Sequence, residues 1–206
     1  MAIVERGIRG HGDNDGLRAM FVARKRVFVD LLGWDVPVLD GQFEIDQFDD
    51  PRATYVIVSG PGEAHRASAR LLQTTGPHIL GDLFPKLCER NVPSGPDVLE
   101  ITRFCLDRSL SASGRLQARN RLVSALVAFA LRAEIRTYTG VAELAWLQQI
   151  LAFGWDCRPL GAPRLVDGRW LGALAITVGS DTPALLARNR IWIDEQLDEA
   201  ALSQAA

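Results

Sequence analysis

The length and composition of the chain fit one globular domain. Of its 206 residues 48% are hydrophobic and 23% are charged, and 23 basic against 25 acidic residues leave a formal net charge of −2 at pH 7. This balance argues against a dedicated nucleic-acid-binding protein, and the absence of a run of 18 apolar residues argues against a membrane-spanning helix. The three cysteines are far apart, which fits reduced thiols better than disulfides or a zinc site, so we expect a cytoplasmic protein without a bound metal.

The first half of the chain is predicted to contain mainly strands and one long helix. Residues 14–32 carry apolar side chains at helical spacing, and Gly33 is predicted to end that helix. Residues 81–90 are predicted to be a short helix or irregular. The predicted strands comprise residues 2–7, 53–59, 65–74 and 97–107, of which the second and third form a hairpin around Pro61 and Gly62.

The second half alternates between the two element types. The predicted helices comprise residues 113–136 and 142–153 and a last one within 180–197 that starts with Asp181 or Thr182 as its cap and Pro183 in its first turn. The predicted strands comprise residues 137–141, 155–161 and 170–178. This order predicts an α/β fold, a three-layer α/β/α sandwich with a mixed central sheet, over a single domain of residues 1–206.

One detail concerns the long strand of residues 97–107. Glu100 and Arg103 are an odd number of positions apart, so a regular strand places their side chains on opposite faces. A bulge or a bend is required to bring them together.

An acidic stretch, FEIDQFDD at residues 43–50, stands out in a chain of balanced charge. Its ordinary interpretation is a solvated turn in which Asp49 and Asp50 bond nearby backbone before Pro51. A calcium loop is disfavoured, because the spacing and the closing glutamate of an EF-hand are missing. The alternative is that Asp46 and Asp49 pair with arginines from distant elements.

An ordered series of motifs favours that alternative. The series comprises RKRVFVDLLGWD (24–35), FEIDQFDD (43–50), ARLLQT with a following proline (69–77), LFP (83–85) and LEITRF (99–104). It resembles the motifs of the acyl-homoserine-lactone synthases, the LuxI-type autoinducer synthases of quorum sensing. The resemblance covers roughly residues 5–178 and is strongest up to about residue 107.

The resemblance implies a fold related to the N-acetyltransferase (GNAT) superfamily and a two-stage reaction. An acyl group passes from acyl-carrier protein or acyl-CoA to the amine of S-adenosylmethionine, and lactone closure then releases methylthioadenosine. Both molecules are substrates, so no cofactor is implied. The N-terminal segment, about residues 1–50, is expected to cover the substrate, and residues of about 97–180 are expected to bind the acyl chain.

The resemblance also implies site residues. The predicted catalytic residues are Glu100, Arg103, Asp46 and Arg24. The predicted S-adenosylmethionine-binding residues are Arg24, Phe28, Trp34, Asp46 and Arg103, and Asp49 and Arg70 complete an electrostatic cluster. Glu100 is the candidate base that takes the amine proton, although it is equally interpreted as the ion-pair partner of an arginine. Phe28 and Trp34 offer aromatic faces to a sulfonium or an adenine, or are simply core residues.

The acyl-binding side is less specific. The candidates are Leu99, Ile101, Phe104, Leu122, Leu126, Ala142, Trp146 and Leu147, all of which also suit an ordinary core. Ala142 stands where relatives with 3-oxo acyl chains often have threonine or serine, so we expect an acyl group without a 3-oxo substituent. Basic residues on and near the long helix could provide a docking face for an acidic carrier protein or the phosphates of coenzyme A, and a solvated surface is the alternative interpretation. They are Arg115, Arg119, Arg121, Arg132 and Arg136.

Two other function classes stay open at this point. A plain acyl-CoA-dependent N-acetyltransferase would share the fold, but it should carry a glycine-rich pyrophosphate loop that the sequence only approaches at residues 169–174. A non-enzymatic small-molecule-binding module is the second alternative.

Overall fold

Helices and strands alternate along the chain in the computed structural model, which describes residues 2–6, 15–194 and 197. The α-helices are α1 (Asp15–Arg24), α2 (Ile79–Asp82), α3 (Ala112–Arg132), α4 (Leu144–Leu151) and α5 (Thr182–Arg188). The strands are β1 (Ala2–Arg6), β2 (Val38–Leu39), β3 (Phe43–Glu44), β4 (Thr54–Ser59), β5 (His65–Gln73), β6 (Val98–Leu106), β7 (Thr137–Glu143), β8 (Asp156–Pro159), β9 (Arg164–Val166) and β10 (Arg169–Thr177). A π-helix (Lys25–Leu31) and two short 3₁₀ turns (Pro61–Glu63 and Pro85–Leu87) complete the elements.

A mixed sheet forms the centre of the fold. Its strand order is β1-β4-β5-β6-β7-β10-β8, with β9 paired to β10, while β2 and β3 form a separate ladder. The pair β6–β7 is parallel and is joined through α3, as a parallel connection requires a crossover. Strand β10 is antiparallel to β7. The predicted α/β/α architecture with a mixed central sheet is confirmed.

Internal contacts divide the chain into two compact units. Unit 1 comprises residues 1–70, 103–125 and 194–206, and unit 2 comprises residues 71–102 and 126–193. In unit 1, Val27, Phe28 and Cys105 form a buried apolar cluster. In unit 2, the corresponding cluster contains Leu80, Leu87 and Ala173. The single domain over residues 1–206 and its subdivision remain predictions.

The predicted first helix is confirmed, but it is not uniformly α-helical. After α1 the backbone widens into the π-helix, where the N–H of Leu32 bonds the carbonyl of Val27 at 3.0 Å. Gly33 ends the helix with φ of +63°, a conformation that favours glycine. Hydrophobic spacing does not distinguish a π-turn from an α-turn, so the π-helix was not predicted from the sequence. Position 14 lies outside the described residues.

The backbone of strand β6 is irregular at Arg103, near the position where the sequence suggested a bulge or a bend. Arg103 has φ of +51° within the strand, in the left-handed region that a non-glycine residue rarely adopts. Burial alternates through Val98, Glu100 and Thr102 and then shifts by one position, so that Cys105 is the next buried residue. Strand β6 is therefore irregular at Arg103, within the segment for which the sequence raised a bulge or a bend.

Several boundaries and strands differ from the prediction. Helix α4 starts at Leu144, so Ala142 lies in β7, where it pairs with Gly172 of β10. Helix α3 ends at Arg132 rather than at residue 136. Strands β2, β3 and β9 were not predicted. The final helix ends at Arg188, far short of residue 197, because the apolar residues after it continue without helical backbone.

The start of α5 is close to prediction. Pro183 lies in its first turn, as expected. Asp181 occupies the cap position without a side-chain capping bond, and the hydroxyl of Thr182 instead accepts the N–H of Gly179 at 2.9 Å.

Within the described ranges, no helix is both long enough and apolar enough to cross a membrane.

Candidate active site

Six charged side chains of unit 1 form a buried network, which we call the acid–arginine cluster. Its members are Arg24, Glu44, Asp46, Asp49, Arg70 and Arg103. They come from α1, β3, the loop after β3, β5 and β6. The predicted convergence of distant arginines on Asp46 and Asp49 is present in this structure.

Arg24, the last residue of α1, uses its whole guanidinium group. Its Nε donates to Glu44 at 2.5 Å, and its two terminal nitrogens donate to the two carboxylate oxygens of Asp49 at 2.8 Å each. This parallel, two-point pairing is the strongest geometry available to an arginine and a carboxylate. It fastens the end of α1 to the acidic loop.

Asp46 receives the other two arginines. Arg70 donates to its two oxygens at 2.6 and 3.0 Å, and Arg103 donates to Oδ2 at 2.7 Å. Arg103 also reaches Glu44 Oε1 through Nε at 3.0 Å and a terminal nitrogen at 2.9 Å. Glu44 therefore bridges Arg24 and Arg103.

The spacing of the two aspartates follows from the shape of their loop. The carboxylate of Asp49 accepts the backbone N–H of Asp46 at 2.8 Å, and the carboxylate of Asp46 accepts the N–H of Phe48 at 2.8 Å. The N–H of Asp49 in turn donates to the carbonyl of Asp46 at 3.0 Å. Each aspartate thus shapes the turn and binds arginine at the same time.

The charges of the cluster compensate one another away from water. Every member is less than 10% exposed at its side chain, and three guanidinium groups face three carboxylates. Burial alone would raise the pKa of Asp49, but Arg24 and Arg70 outweigh it and hold that pKa far below its ordinary value. Burial likewise opposes the charge of Arg24, yet Asp49 and Glu44 raise the pKa of that guanidinium. Asp49 and Arg24 therefore hold their charges against the cost of burial.

Two residues of this environment, Glu44 and Tyr55, were not predicted from the sequence. Glu44 lies in the acidic stretch but was not assigned a role, although its position two residues before Asp46 was an available signal. Tyr55 of β4 donates its hydroxyl to Asp49 at 2.9 Å. Asp50, by contrast, bonds the backbone N–H of Arg52 at 2.7 Å, as expected of a turn residue.

Aromatic rings line the cluster. The rings of Phe28 and Trp34 stack with centroids 4.7 Å apart, and the Arg103 guanidinium carbon lies 5.6 and 5.5 Å from their centroids. These cation–π contacts help to stabilise the position of the Arg103 guanidinium group. The indole Nε1 of Trp34 is buried and has no hydrogen-bond partner among the described residues.

Glu100 belongs to unit 2 and is fully buried. Its two carboxylate oxygens accept the backbone N–H groups of Ile79 and Leu80 at 2.7 and 2.9 Å. In this arrangement Glu100 anchors the first turn of α2. Its role as a base remains a prediction.

The predicted acyl-binding residues include a packing contact in unit 2. A Cβ atom on Gly172 of β10 would lie 2.6 Å from Cδ2 of Leu147, so the leucine occupies the space that the glycine leaves. Leu122, Leu126, Ala142 and Leu147 are buried, and the half-buried candidates are Leu99, Ile101, Phe104 and Trp146. This burial fits both an acyl-binding wall and an ordinary core.

The arginines considered for docking differ in their surroundings. Arg115 donates to the carbonyl of Leu110 and Arg119 to the side chain of Asn120 at 2.8 Å, while Arg132 and Arg136 are exposed. Their role in docking a donor remains a prediction.

Comparisons with known proteins cover most of the chain. The family model described as autoinducer synthase matches residues 11–174. The acyl-homoserine-lactone synthase of Ralstonia nicotianae is 32% identical over 173 residues, which cover 79% of this chain and 82% of the relative. The structure of a CoA-dependent acyl-homoserine lactone synthase, BjaI, with SAM and isopentyl-CoA, matches with a TM-score of 0.85 and 26% identity over 100% of this chain and 98% of that chain.

The fold extends to a wider group. An N-acetyltransferase structure from Lactobacillus plantarum matches with a TM-score of 0.58 and 17% identity, covering 87% of this chain and 98% of that chain. At this identity the likeness concerns the fold alone.

Proposed function

Because the chain belongs to the autoinducer synthase family, we propose that it is an acyl-homoserine-lactone synthase that acylates the amine of S-adenosylmethionine. The observation that carries this proposal is the family match over residues 11–174 together with the acid–arginine cluster. The product is then a diffusible quorum-sensing signal made in the cytoplasm. The chemistry calls for two substrates and no cofactor.

The acyl donor in this proposal is an acyl-CoA thioester. The support is the match at a TM-score of 0.85 to a synthase whose structure holds SAM and isopentyl-CoA. Acyl-carrier protein is the alternative donor, and the activity assay described below compares the two donors. Ala142 further suggests an acyl group without a 3-oxo substituent.

In the first stage the amine of S-adenosylmethionine attacks the thioester. A free α-amine titrates at about 7.7–8.0, so much of it is protonated at neutral pH and must lose a proton before it attacks. Glu100 is the base that the sequence suggests. The neutral nitrogen then bonds to the acyl carbon and gives up a second proton, the carbon–sulfur bond breaks, and the sulfur leaves with that proton as the free thiol of the donor.

In the second stage the carboxylate of the acylated substrate attacks the carbon next to the sulfonium. Methylthioadenosine leaves as a neutral thioether, so this step demands little acid–base chemistry. It demands instead that the methionine portion be folded towards a ring, which positioning can supply.

The acid–arginine cluster is proposed to supply that positioning. Arg24 is committed to Glu44 and Asp49, which supports an ordering role for it rather than direct contact with substrate. Arg103 and Asp46 are the proposed contacts for the polar groups of S-adenosylmethionine. Phe28 and Trp34 are proposed to contact its sulfonium or adenine, and the unpartnered Nε1 of Trp34 is a donor suited to a ligand.

The assay that tests this proposal combines purified protein, S-adenosylmethionine and matched acyl-CoA and acyl-carrier-protein donors. Mass spectrometry is expected to detect methylthioadenosine and an acyl-homoserine lactone in equal amounts, with acyl-CoA as the better donor. Acylated product without methylthioadenosine would indicate plain N-acyltransfer. Ligand binding without turnover would indicate a binding module instead.

A further inference from the structure

Two buried polar atoms of unit 2, for which the described residues provide no hydrogen-bond partner, belong to residues connected to the surroundings of Glu100 by chain position or strand register. Among the described residues, the buried side-chain nitrogen and oxygen atoms without a hydrogen-bond partner belong to Trp34, His65, His78 and Thr139. His78 directly precedes the two residues whose N–H groups hold Glu100, and Thr139 is the register partner of Glu100 on β7. Unpartnered buried polar groups are uncommon in folded proteins, so this concentration around one carboxylate calls for an explanation.

The imidazole of His78 is held in a defined state. The side chain is only 6% exposed, and its Nδ1 lies 2.8 Å from the carbonyl oxygen of Gly76. A carbonyl accepts but cannot donate, so Nδ1 carries a hydrogen, and in the neutral tautomer that this bond selects Nε2 would present a lone pair. Nε2 is the atom without a partner.

Gly81 shows that the fold makes room for this ring. A Cβ atom on Gly81 would lie 2.5 Å from Cε1 and 2.7 Å from Nε2 of His78, so the imidazole occupies the space of the missing side chain. Gly81 lies inside α2 without a positive φ, where glycine is less favourable than alanine. The sequence therefore forgoes helix propensity at the position that accommodates the histidine.

Glu100 fixes the backbone beside that ring. Its carboxylate bonds the N–H groups of Ile79 and Leu80, which follow His78 directly. Both oxygens are thereby engaged with backbone donors, which makes Glu100 a better anchor than proton acceptor. Thr139, fully buried, adds a hydroxyl on the neighbouring strand.

Other ionisable groups on the elements around α2 are engaged or exposed. On β7, the Tyr138 hydroxyl donates to the carbonyl of Leu126, and Glu143 pairs with Arg169. Lys86 of the adjoining 3₁₀ turn and Asp82 of α2 itself are exposed. Glu100 is thus the charged group bonded to the start of α2.

We propose that Nε2 of His78 accepts the amine proton during acyl transfer and that Glu100 is a positioning residue that holds the first turn of α2 beside it. This inference rests on the proposed function. Starting from the neutral amine, the nitrogen bonds to the thioester carbon, one of its protons passes to Nε2 and the carbon–sulfur bond breaks. The imidazolium then returns the proton to the departing thiolate, so coenzyme A leaves as the free thiol and the ring is again neutral.

The test uses His78→Asn, whose amide can still donate to the carbonyl of Gly76 but provides no base. With acyl-CoA and S-adenosylmethionine, kcat is expected to fall by about 10²–10⁴-fold, while KM for both substrates stays within about twofold. The acid limb of the kcat–pH profile is expected to disappear. The matched control is His65→Gln, which alters the second buried histidine among the described residues and is expected to keep the profile.

The outcomes separate this inference from the proposed function. A wild-type protein that makes no lactone overturns the proposed function and this inference with it. An active wild type with a folded His78→Asn variant of unchanged kcat and profile overturns this inference alone, and loss of the acid limb in Glu100→Gln but not in His78→Asn would assign the base to Glu100.

If His78→Asn does not fold, Gly81→Ala provides the second variant, because the added methyl group displaces the ring while the histidine is kept. A loss of kcat at unchanged KM supports the proposal. A wild-type kcat with the ring displaced overturns it.

Discussion

At the scale of single residues, Glu44 shows how the cluster reaches neutrality. The sequence predicted three arginines around two aspartates, which would leave one buried positive charge. Glu44 is the third carboxylate, and it bridges Arg24 and Arg103. An uncompensated charge in the interior costs several kcal/mol, so the cluster requires this residue.

Glu44→Gln is therefore expected to destabilise the protein by about 3–5 kcal/mol, because it leaves a buried guanidinium without its counter-charge. Urea unfolding measures the loss. The control Glu143→Gln removes a carboxylate from the half-exposed pair with Arg169, which is expected to cost less than about 1 kcal/mol. Equal losses in the two variants would show that burial of the cluster contributes nothing.

Arg103→Ala and Asp46→Ala are each expected to abolish lactone formation in a protein that still folds. The reason is that these two groups are the proposed contacts for S-adenosylmethionine. Circular dichroism and product analysis measure folding and activity separately, and Arg52→Ala, which removes an exposed ion pair with Asp50, is the control that should keep activity. An unfolded Asp46→Ala protein would instead show that its bonds to Arg70 and Phe48 are architectural.

At the scale of elements, two local irregularities place the side chains of the site. The π-helix sets the positions of Phe28 and the following Trp34, and the left-handed residue in β6 directs Arg103. Both are backbone features that interrupt a regular period. The π-helix was not predicted, because its apolar residues keep an ordinary helical spacing. The irregularity at Arg103 was suggested by the odd separation of Glu100 and Arg103.

Helix α4 and strand β10 lead to a prediction about acyl chain length. Leu147→Ala removes the side chain that fills the space beside Gly172, so the protein is expected to accept longer acyl chains. Competition between acyl-CoA donors, read out as lactone masses, measures the shift. Leu186→Ala is the matched control: it truncates another buried leucine of unit 2, and both variants should lose about 2–5 kcal/mol of stability while only the first changes the product. An unchanged product in Leu147→Ala would remove this residue from the acyl site.

At the scale of the whole molecule, much of the fold was readable from hydrophobic periodicity. The order of strands and helices and the mixed sheet follow from it, because one face of each element must be buried. The ends of α4 and α5 were not readable, since the apolar residues around Ala142 and after Arg188 suit a strand or an irregular segment equally well. The arginine partners of Asp46 and Asp49 were predicted from the family motifs. The hydrogen bonds of Glu100 to Ile79 and Leu80 join residues about 20 positions apart, and no sequence pattern indicated them.

Overall stability is expected to depend on pH through His65, the first residue of β5. Burial lowers its pKa to about 4, and Asp107 only partly offsets this effect. Unfolded histidine titrates near about 6.5 and takes up a proton that the folded protein refuses, so the free energy of unfolding should fall by roughly 3 kcal/mol between about pH 6.5 and pH 4.

Urea unfolding across this range measures the effect. His65→Gln is expected to flatten the dependence, and a variant that keeps the full slope would refute the assignment. Asp49 affects the free energy of unfolding at lower pH than His65 does. An unfolded carboxyl group titrates near about 3.9, and the pKa of folded Asp49 lies below that value.

The mutual compensation inside the acid–arginine cluster has a consequence for tolerance of ionic strength. The screening length of an electrolyte shrinks from about 10 Å at 0.1 M to about 3 Å at 1 M, but mobile ions act mainly on charges that face the solvent. Because these six groups already neutralise each other in the interior, added sodium chloride has little to screen. The ion pairs that join α1, β3, β5 and β6 through this cluster should therefore persist at high as well as at low salt concentration.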